Sequence, residues 1–253
     1  MVASASQVSG NDARAAQARR GLAYAAAIVG GWVALLAASL FAFPLSWATL
    51  PLAVALAAVQ CWLFVGLFIV AHDAMHGSLA PGHAQVNRVI GAGVLALYAG
   101  FSWRKLAAAH FAHHRHAGTA EDPDFSAEHP DNGWRWYLTF LTRYFGWRSL
   151  LFVGAVVAAL HLLGGVSLVK LALFYAVPAI ASSVQLFYFG TFRPHRHTAE
   201  AGFADQHNAR SEAWGRMASL ASCFHFGYHL EHHRRPDVPW WGLPDARAQG
   251  VGS

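Results

Sequence analysis

Residues 22–42 carry no charged side chain and are about as long as the ~20 residues that carry an α-helix across hydrocarbon. Residues 43–50 contain Pro44 and no charge, a short turn, and residues 51–71 are again uncharged, ending at His72. This pattern predicts a hairpin of two membrane helices. Lipid leaves unpaired backbone groups without partners, so such segments must be helical. Residues 89–103 are apolar but short, and Arg88 and Arg104–Lys105 flank both ends. A crossing with positive charge at both ends conflicts with the positive-inside bias, which predicts a re-entrant or interface-lying helix. Residues 117–136 are polar, hold Pro123 and Pro130, and read as a cytoplasmic loop or cap. After Arg143 and Arg148 an apolar run spans 149–163, Gly164–Gly165 turns the chain, and 166–189 returns.

The predicted fold is therefore all-α and integral to a membrane. It has four transmembrane helices, a shallow or re-entrant helix, and a histidine-rich cytoplasmic cap. Residues 1–20 read as a disordered cytoplasmic tail, 21–241 as the membrane domain, and 242–253 as a C-terminal tail. Trp240 and Trp241 are candidate interface anchors.

Composition supports this reading. The 253 residues are 55% hydrophobic and only 12% charged, with mean hydropathy +0.31. A soluble domain is about a quarter charged, so this chain is too poor in charge to cover a water-exposed surface. Its net charge of +5 comes from basic residues beside apolar runs, where they fix orientation, and nucleic-acid recognition is not indicated. Arg14, Arg19 and Arg20 precede a run longer than the apolar core of a signal peptide, which reads as a retained helix. The two cysteines, Cys61 and Cys223, form no disulfide framework.

The chemistry lies in the histidines, of which there are sixteen. HDAMH holds His72 and His76, HFAHH holds His110, His113 and His114, and HLEHH holds His229, His232 and His233. At helical spacing, residues three and four apart share a face. Each cluster supplies two or three imidazoles at the cytoplasmic end of an apolar run. A ninth ligand comes from PHRH, where His195 is preferred over His197 because Pro194 restrains its backbone. His83, His129, His161 and His116 read as loop or surface residues, and His207 and His225 as supporting ones. Ligating imidazoles donate their other N–H to carboxylates or carbonyls. Asp73, Asp122, Asp124 and Glu231 are candidates for that role, although Asp122 and Asp124 also suit a turn around Pro123. Leu79, Phe101, Phe187, Tyr188 and Phe226 are candidates to line a channel, with helix packing as the alternative.

Imidazole suits iron, zinc, copper and nickel. One catalytic zinc needs three protein ligands, and a haem needs one or two axial ligands. Neither uses eight or nine histidines. Two irons with open positions for O2 fit best, and an apolar host then suits a substrate drawn from the bilayer. A non-catalytic membrane metal-binding or transport protein is the alternative from another class.

The HxxxH, HxxHH, HxxHH set resembles the membrane fatty-acid desaturase and hydroxylase superfamily. FIVAHDAMHGSLAPG (68–82), DPDF (122–125), YFGTFRPHRH (188–197), ARS (209–211) and CFHFGYHLEHH (223–233) resemble the bacterial beta-carotene ketolases. That resemblance implies two iron ions held by His72, His76, His110, His113, His114, His229, His232 and His233, with His195 or His197 completing the set. It also implies oxidation of the ring C4 methylene of beta-carotene to a ketone, by two O2-dependent hydroxylations and a dehydration. The products would be echinenone and canthaxanthin, or astaxanthin from hydroxylated rings. A ring hydroxylase or a fatty-acid desaturase would use the same site. No flavin, nicotinamide or iron–sulfur motif occurs, which implies a separate electron donor such as ferredoxin. Arg115, Arg193, Arg196, Arg234 and Arg235 could attract an acidic donor or contact lipid headgroups. The expected location is the bacterial inner membrane, with the active site on the cytoplasmic side.

Overall fold

The computed structural model describes residues 5–197 and 202–250. Helix α1 (Ala5–Ala37) continues through a π-helical turn, Ala38–Ala42, and α2 runs Leu50–His76. Helices α3 (Ala84–Ala99) and α4 (Trp103–His116) follow, then a turn-rich loop, α5 (Gly133–Tyr144) and α6 (Trp147–Leu162). A long helical stretch comes next: α7 (Leu168–Leu171), a π turn (Ala172–Ala176), α8 (Val177–Phe187), a π turn (Tyr188–Phe192) and α9 (Arg193–His195). Three short helices, α10 (Arg216–Cys223), α11 (His229–Arg234) and α12 (Leu243–Ala248), end the described chain. No strand occurs among the described residues.

Three helical stretches, Gly10–Ala42, Leu50–His76 and Leu168–His195, are long and apolar enough to cross a membrane. A fourth exists if α5 and α6 count as one span, although they are bent by 81°. The sequence predicts a straight crossing over 149–163. The helix there is short, and its apolar length continues into α5 only across the Phe145–Gly146 break.

The helices pack as an elongated bundle around α2. Phe64, Val65, Leu67 and Ile69 at the middle of α2 are fully buried. They contact Trp32 of α1, Leu95 and Tyr98 of α3, Tyr175, and Phe224. At one end Leu40, Ala53, Ala57, Val166, Leu171 and Phe174 form a second cluster, against which Leu160 of α6 packs. Helix α6 starts beside Tyr144 and Phe145, and its Leu160 packs on this cluster.

Two expectations change. The tail read as disordered is helical from Ala5, and residues 1–4 lie outside the described residues. Residues 13–20 are rich in alanine and arginine, both good helix formers, and they have a surface to dock on. Ala18 is buried and Gln17 donates to the Ser78 carbonyl at 2.7 Å. The C-terminal tail likewise forms α12, with Leu243 and Ala246 buried and Arg247 paired to Glu231 at 2.7 Å; residues 251–253 lie outside the described residues.

The predicted shallow helix is α3, which packs along α2 and does not reach crossing length. The polar stretch 117–132 forms successive turns, as its prolines and acidic residues dictate.

Candidate metal centre

The end of the bundle opposite the Leu40–Phe174 cluster gathers nine histidines. Helix α2 stops there because Gly77 takes φ 71, a left-handed cap that few side chains tolerate. His72 and His76 lie on its last two turns, and α4 and α11 bring HFAHH and HLEHH to the same place. The rings divide into two groups whose nitrogens lie within 4.8 Å of one another: His72, His76, His110, His114 and His232, and then His113, His195, His229 and His233.

Helical spacing explains the division. Residues four apart stay together: His72 with His76, His110 with His114, His229 with His233. The intervening His113 and His232 point to the other group. Helices α4 and α11 thus exchange one imidazole each, which locks the two groups side by side. His114 stacks on His233 across the junction, with centroids 4.2 Å apart.

Within the first group, His110 Nε2 lies 2.6 Å from His76 Nε2, and His232 Nε2 lies 3.1 Å from His72 Nε2 and 3.0 Å from His114 Nε2. In the second, His229 Nε2 lies 2.9 Å from His195 Nε2 and 3.1 Å from His233 Nε2. Burial, then the neighbouring imidazoles, push the pKa values of His110, His229, His232 and His233 well below the ordinary histidine value. These rings are neutral at pH 7, the state in which imidazole offers a lone pair. Buried neutral rings whose Nε2 atoms face one another cannot satisfy each other by hydrogen bonding alone. A cation between them does, so the donor set fits two metal ions.

The outer nitrogens are held selectively. His113 Nδ1 donates to Asp122 at 3.0 Å, and Asp122 also accepts from the backbone N–H of Gly118 and Asp124 at 2.9 and 2.8 Å. Burial opposes charge on both groups, yet their mutual hydrogen bond outweighs it. His113 is held above its usual pKa and Asp122 below. His72 Nδ1 lies 3.3 Å from Asp73 Oδ1, whose other oxygen accepts from the Trp240 N–H at 3.0 Å. His195 Nδ1 donates to the Asn208 carbonyl at 2.7 Å. The outer Nδ1 atoms of His229 and His233 are buried without a hydrogen-bond partner among the described residues.

His195 and His197 separate cleanly. The π turn and Pro194 turn His195 inward, fully buried in the second group. His197 is exposed, its Nε2 3.0 Å from the Gly118 carbonyl, where it supports the loop holding Asp122. Asp124 does not reach a histidine within hydrogen-bond distance; Tyr144 donates to it instead. Glu231 faces away from the imidazoles and binds Ser211 and Arg247. His83, His116 and His161 are exposed as expected. His207 lies 6.0 Å from His233, and His225 stacks on Tyr228 and Trp240, outside both groups.

His72, His110, His113 and His229 also form one wall of a cavity. Its other walls are mostly apolar and aromatic, from Phe68, Tyr98, Phe101, Phe140, Phe145 and Phe226, with Asp124, Tyr144, Ser183 and Thr191 as the polar exceptions. Phe101 and Phe226 line it as expected, whereas Leu79, Phe187 and Tyr188 do not. Leu79 packs in the bundle core, Phe187 joins Trp136 and Phe192, and Tyr188 is exposed beside Arg193. Two features had no signal in the sequence: Tyr144 meets Asp124 across twenty residues, and Asn208 meets His195 across thirteen.

A family model for fatty acid desaturases matches residues 45–153 and 142–250. Two beta-carotene ketolases from Paracoccus strains are each 52% identical, one covering 75% of this chain and 76% of its own, the other 79% and 81%. A zeaxanthin 4-ketolase of Chlamydomonas reinhardtii is 35% identical, covering 92% of this chain and 54% of its own. No solved structure matches the chain. With histidine groups that suit a metal site, apolar helices of membrane length and a match over most of its length, the chain belongs to the fatty acid desaturase family.

Proposed function

We propose that this chain is a carotenoid 4-ketolase, a membrane oxygenase that converts the ring C4 methylene of beta-carotene to a ketone. The observation that carries the proposal is the meeting of two histidine groups with one aromatic cavity at a single end of an apolar bundle. The ketolase relatives support the substrate class.

The nine ligands we assign are His72, His76, His110, His114 and His232 for one ion and His113, His195, His229 and His233 for the other. Two irons held there supply O2 reduction and removal of hydrogen from an unactivated C–H bond. Asp122 keeps the His113 ring in one tautomer, its N–H outward and its Nε2 inward. Asp73 and the Asn208 carbonyl do the same for His72 and His195. The aromatic walls hold an apolar ring against the histidines and exclude water.

Each hydroxylation takes one O2, two electrons and two protons, and releases one water. Two such steps at one carbon give a gem-diol, which loses water to leave the ketone. The electrons come from a separate donor such as ferredoxin. Steering by the arginines is weaker than their number implies. Arg193 pairs with Glu212, Arg234 with Asp205 and Arg235 with Asp237, which leaves Arg115 and Arg196 as the stronger attractants.

Helix α1 with its π turn, α2 and the stretch from α7 to α9 are each long enough to cross, and the bent pair α5–α6 supplies the fourth crossing. The histidine end then lies on the cytoplasmic side of the bacterial inner membrane, capped by the 117–132 loop and the C-terminal helices. The catalytic unit is the membrane domain from residue 21 to 241, now flanked by helix rather than tail.

Production in a bacterial host that accumulates beta-carotene tests the reading by chromatography. Echinenone and canthaxanthin are expected. Ring alcohols alone would make it a hydroxylase, altered fatty-acid unsaturation a desaturase, and unchanged pigments and lipids a metal-binding protein.

A further inference from the structure

One carboxylate in the cavity makes no hydrogen bond to a histidine, although it stands near His113 and Asp122. Asp122 already accepts the His113 N–H with both its oxygens, at 3.0 Å each, while the nearest Asp124 oxygen is 3.9 Å away. Asp124 is nonetheless fixed on three sides. Its N–H donates to Asp122 at 2.8 Å, its carbonyl accepts from Trp136 Nε1 at 2.6 Å, and Tyr144 donates to its Oδ1. Its Oδ2 accepts no hydrogen bond among the described residues, and both Asp124 and Tyr144 line the cavity. A purely hydrocarbon ring gains nothing from a carboxylate, and desolvating one is costly. An alcohol on the ring repays that cost by donating to the free oxygen.

We propose that Asp124, oriented by Tyr144, accepts a hydrogen bond from an alcohol on the substrate ring at or beside the carbon presented to the histidines. Asp124 touches the substrate; Tyr144 is a positioning residue that acts through it. Such an alcohol has two sources. It is either present on the incoming ring or installed by the first hydroxylation, and in the second case Asp124 retains the half-oxidised ring until the second turnover. The inference rests on the ketolase reading and adds to it a basis for selectivity and for completion of the reaction.

The test compares wild type with Tyr144→Phe and Asp124→Asn in two bacterial hosts, one accumulating beta-carotene and one its 3-hydroxylated derivative. If the first turnover supplies the alcohol, the variants release 4-hydroxy rings from beta-carotene, raising the alcohol-to-ketone ratio roughly tenfold, as loss of one hydrogen bond predicts. If the incoming ring supplies it, the preference for the hydroxylated substrate over beta-carotene falls by a similar factor. Wild-type ratios in both hosts would overturn the proposal. A second measurement needs no variant to fold: purified wild type is titrated with beta-carotene and with its 3- and 4-hydroxy derivatives, read by quenching of tryptophan fluorescence. Roughly tenfold tighter binding of one alcohol is expected, and equal affinity for all three would overturn the idea. Absence of any ketone from wild type would instead sink the ketolase reading itself.

Discussion

At the scale of single residues, the decisive distinction is between side chains that look alike in sequence. His195 and His197 stand two apart in PHRH, yet one is buried among imidazoles and the other braces a loop carbonyl. His195→Ala is expected to lower bound iron and abolish product. His197→Ala should keep both in large part, because what is lost is the Gly118 hydrogen bond and ring contacts with Phe125 and Phe203, none of them to the imidazole groups. Iron content of the purified variants decides it; equal loss from both would contradict the assignment. Asp122 is the more sensitive support. Its removal strands the His113 N–H and two backbone N–H groups at once. Asp122→Ala should weaken metal binding roughly 10- to 100-fold, the range for loss of a partner behind a ligand, measured by competition with a chelator. The histidines were legible because imidazoles at helical spacing beside apolar runs have few other uses. Tyr144 was not: its role depends on a bend between α5 and α6 that no local pattern announces.

At the scale of elements, periodicity accounts for how three clusters become two groups, since pairs four apart stay together and the odd histidine crosses over. What the pattern did not reveal is that α1 begins early and presses against the α2 turn. A Cβ on Gly21 would lie 2.0 Å from the Leu79 carbonyl oxygen, whereas one on Gly30 meets nothing within 4 Å. Gly21→Ala should therefore cost about 1–3 kcal/mol of stability, the usual cost of overpacking, and Gly30→Ala almost none. Thermal unfolding in detergent compares the two; equal midpoints would mean that α1 does not dock there. The disordered-tail expectation failed for the same reason. Basic residues before a membrane run look solvated until a partner surface is known.

At the scale of the whole molecule, four crossings require the two ends of the bundle to face opposite compartments. Leu163, highly exposed at the turn after α6, belongs to the outer end, and Asp131, in the loop before α5, to the histidine end. A membrane-impermeant thiol reagent should label Leu163→Cys in intact cells and Asp131→Cys only after permeabilisation. Labelling of both from one side would exclude four crossings. Overall hydropathy made the membrane class legible. The number of crossings was less so, because the apolar length of the third is shared between two helices bent by 81°. Beneath all of this lies the claim that the nine imidazoles hold a pair of ions. Metal analysis of the purified, active chain tests it most directly. Two iron atoms per chain, lost together when either His114 or His233 becomes alanine because their rings stack across the junction, is the predicted result. A single ion per chain, or zinc in an active preparation, would contradict it.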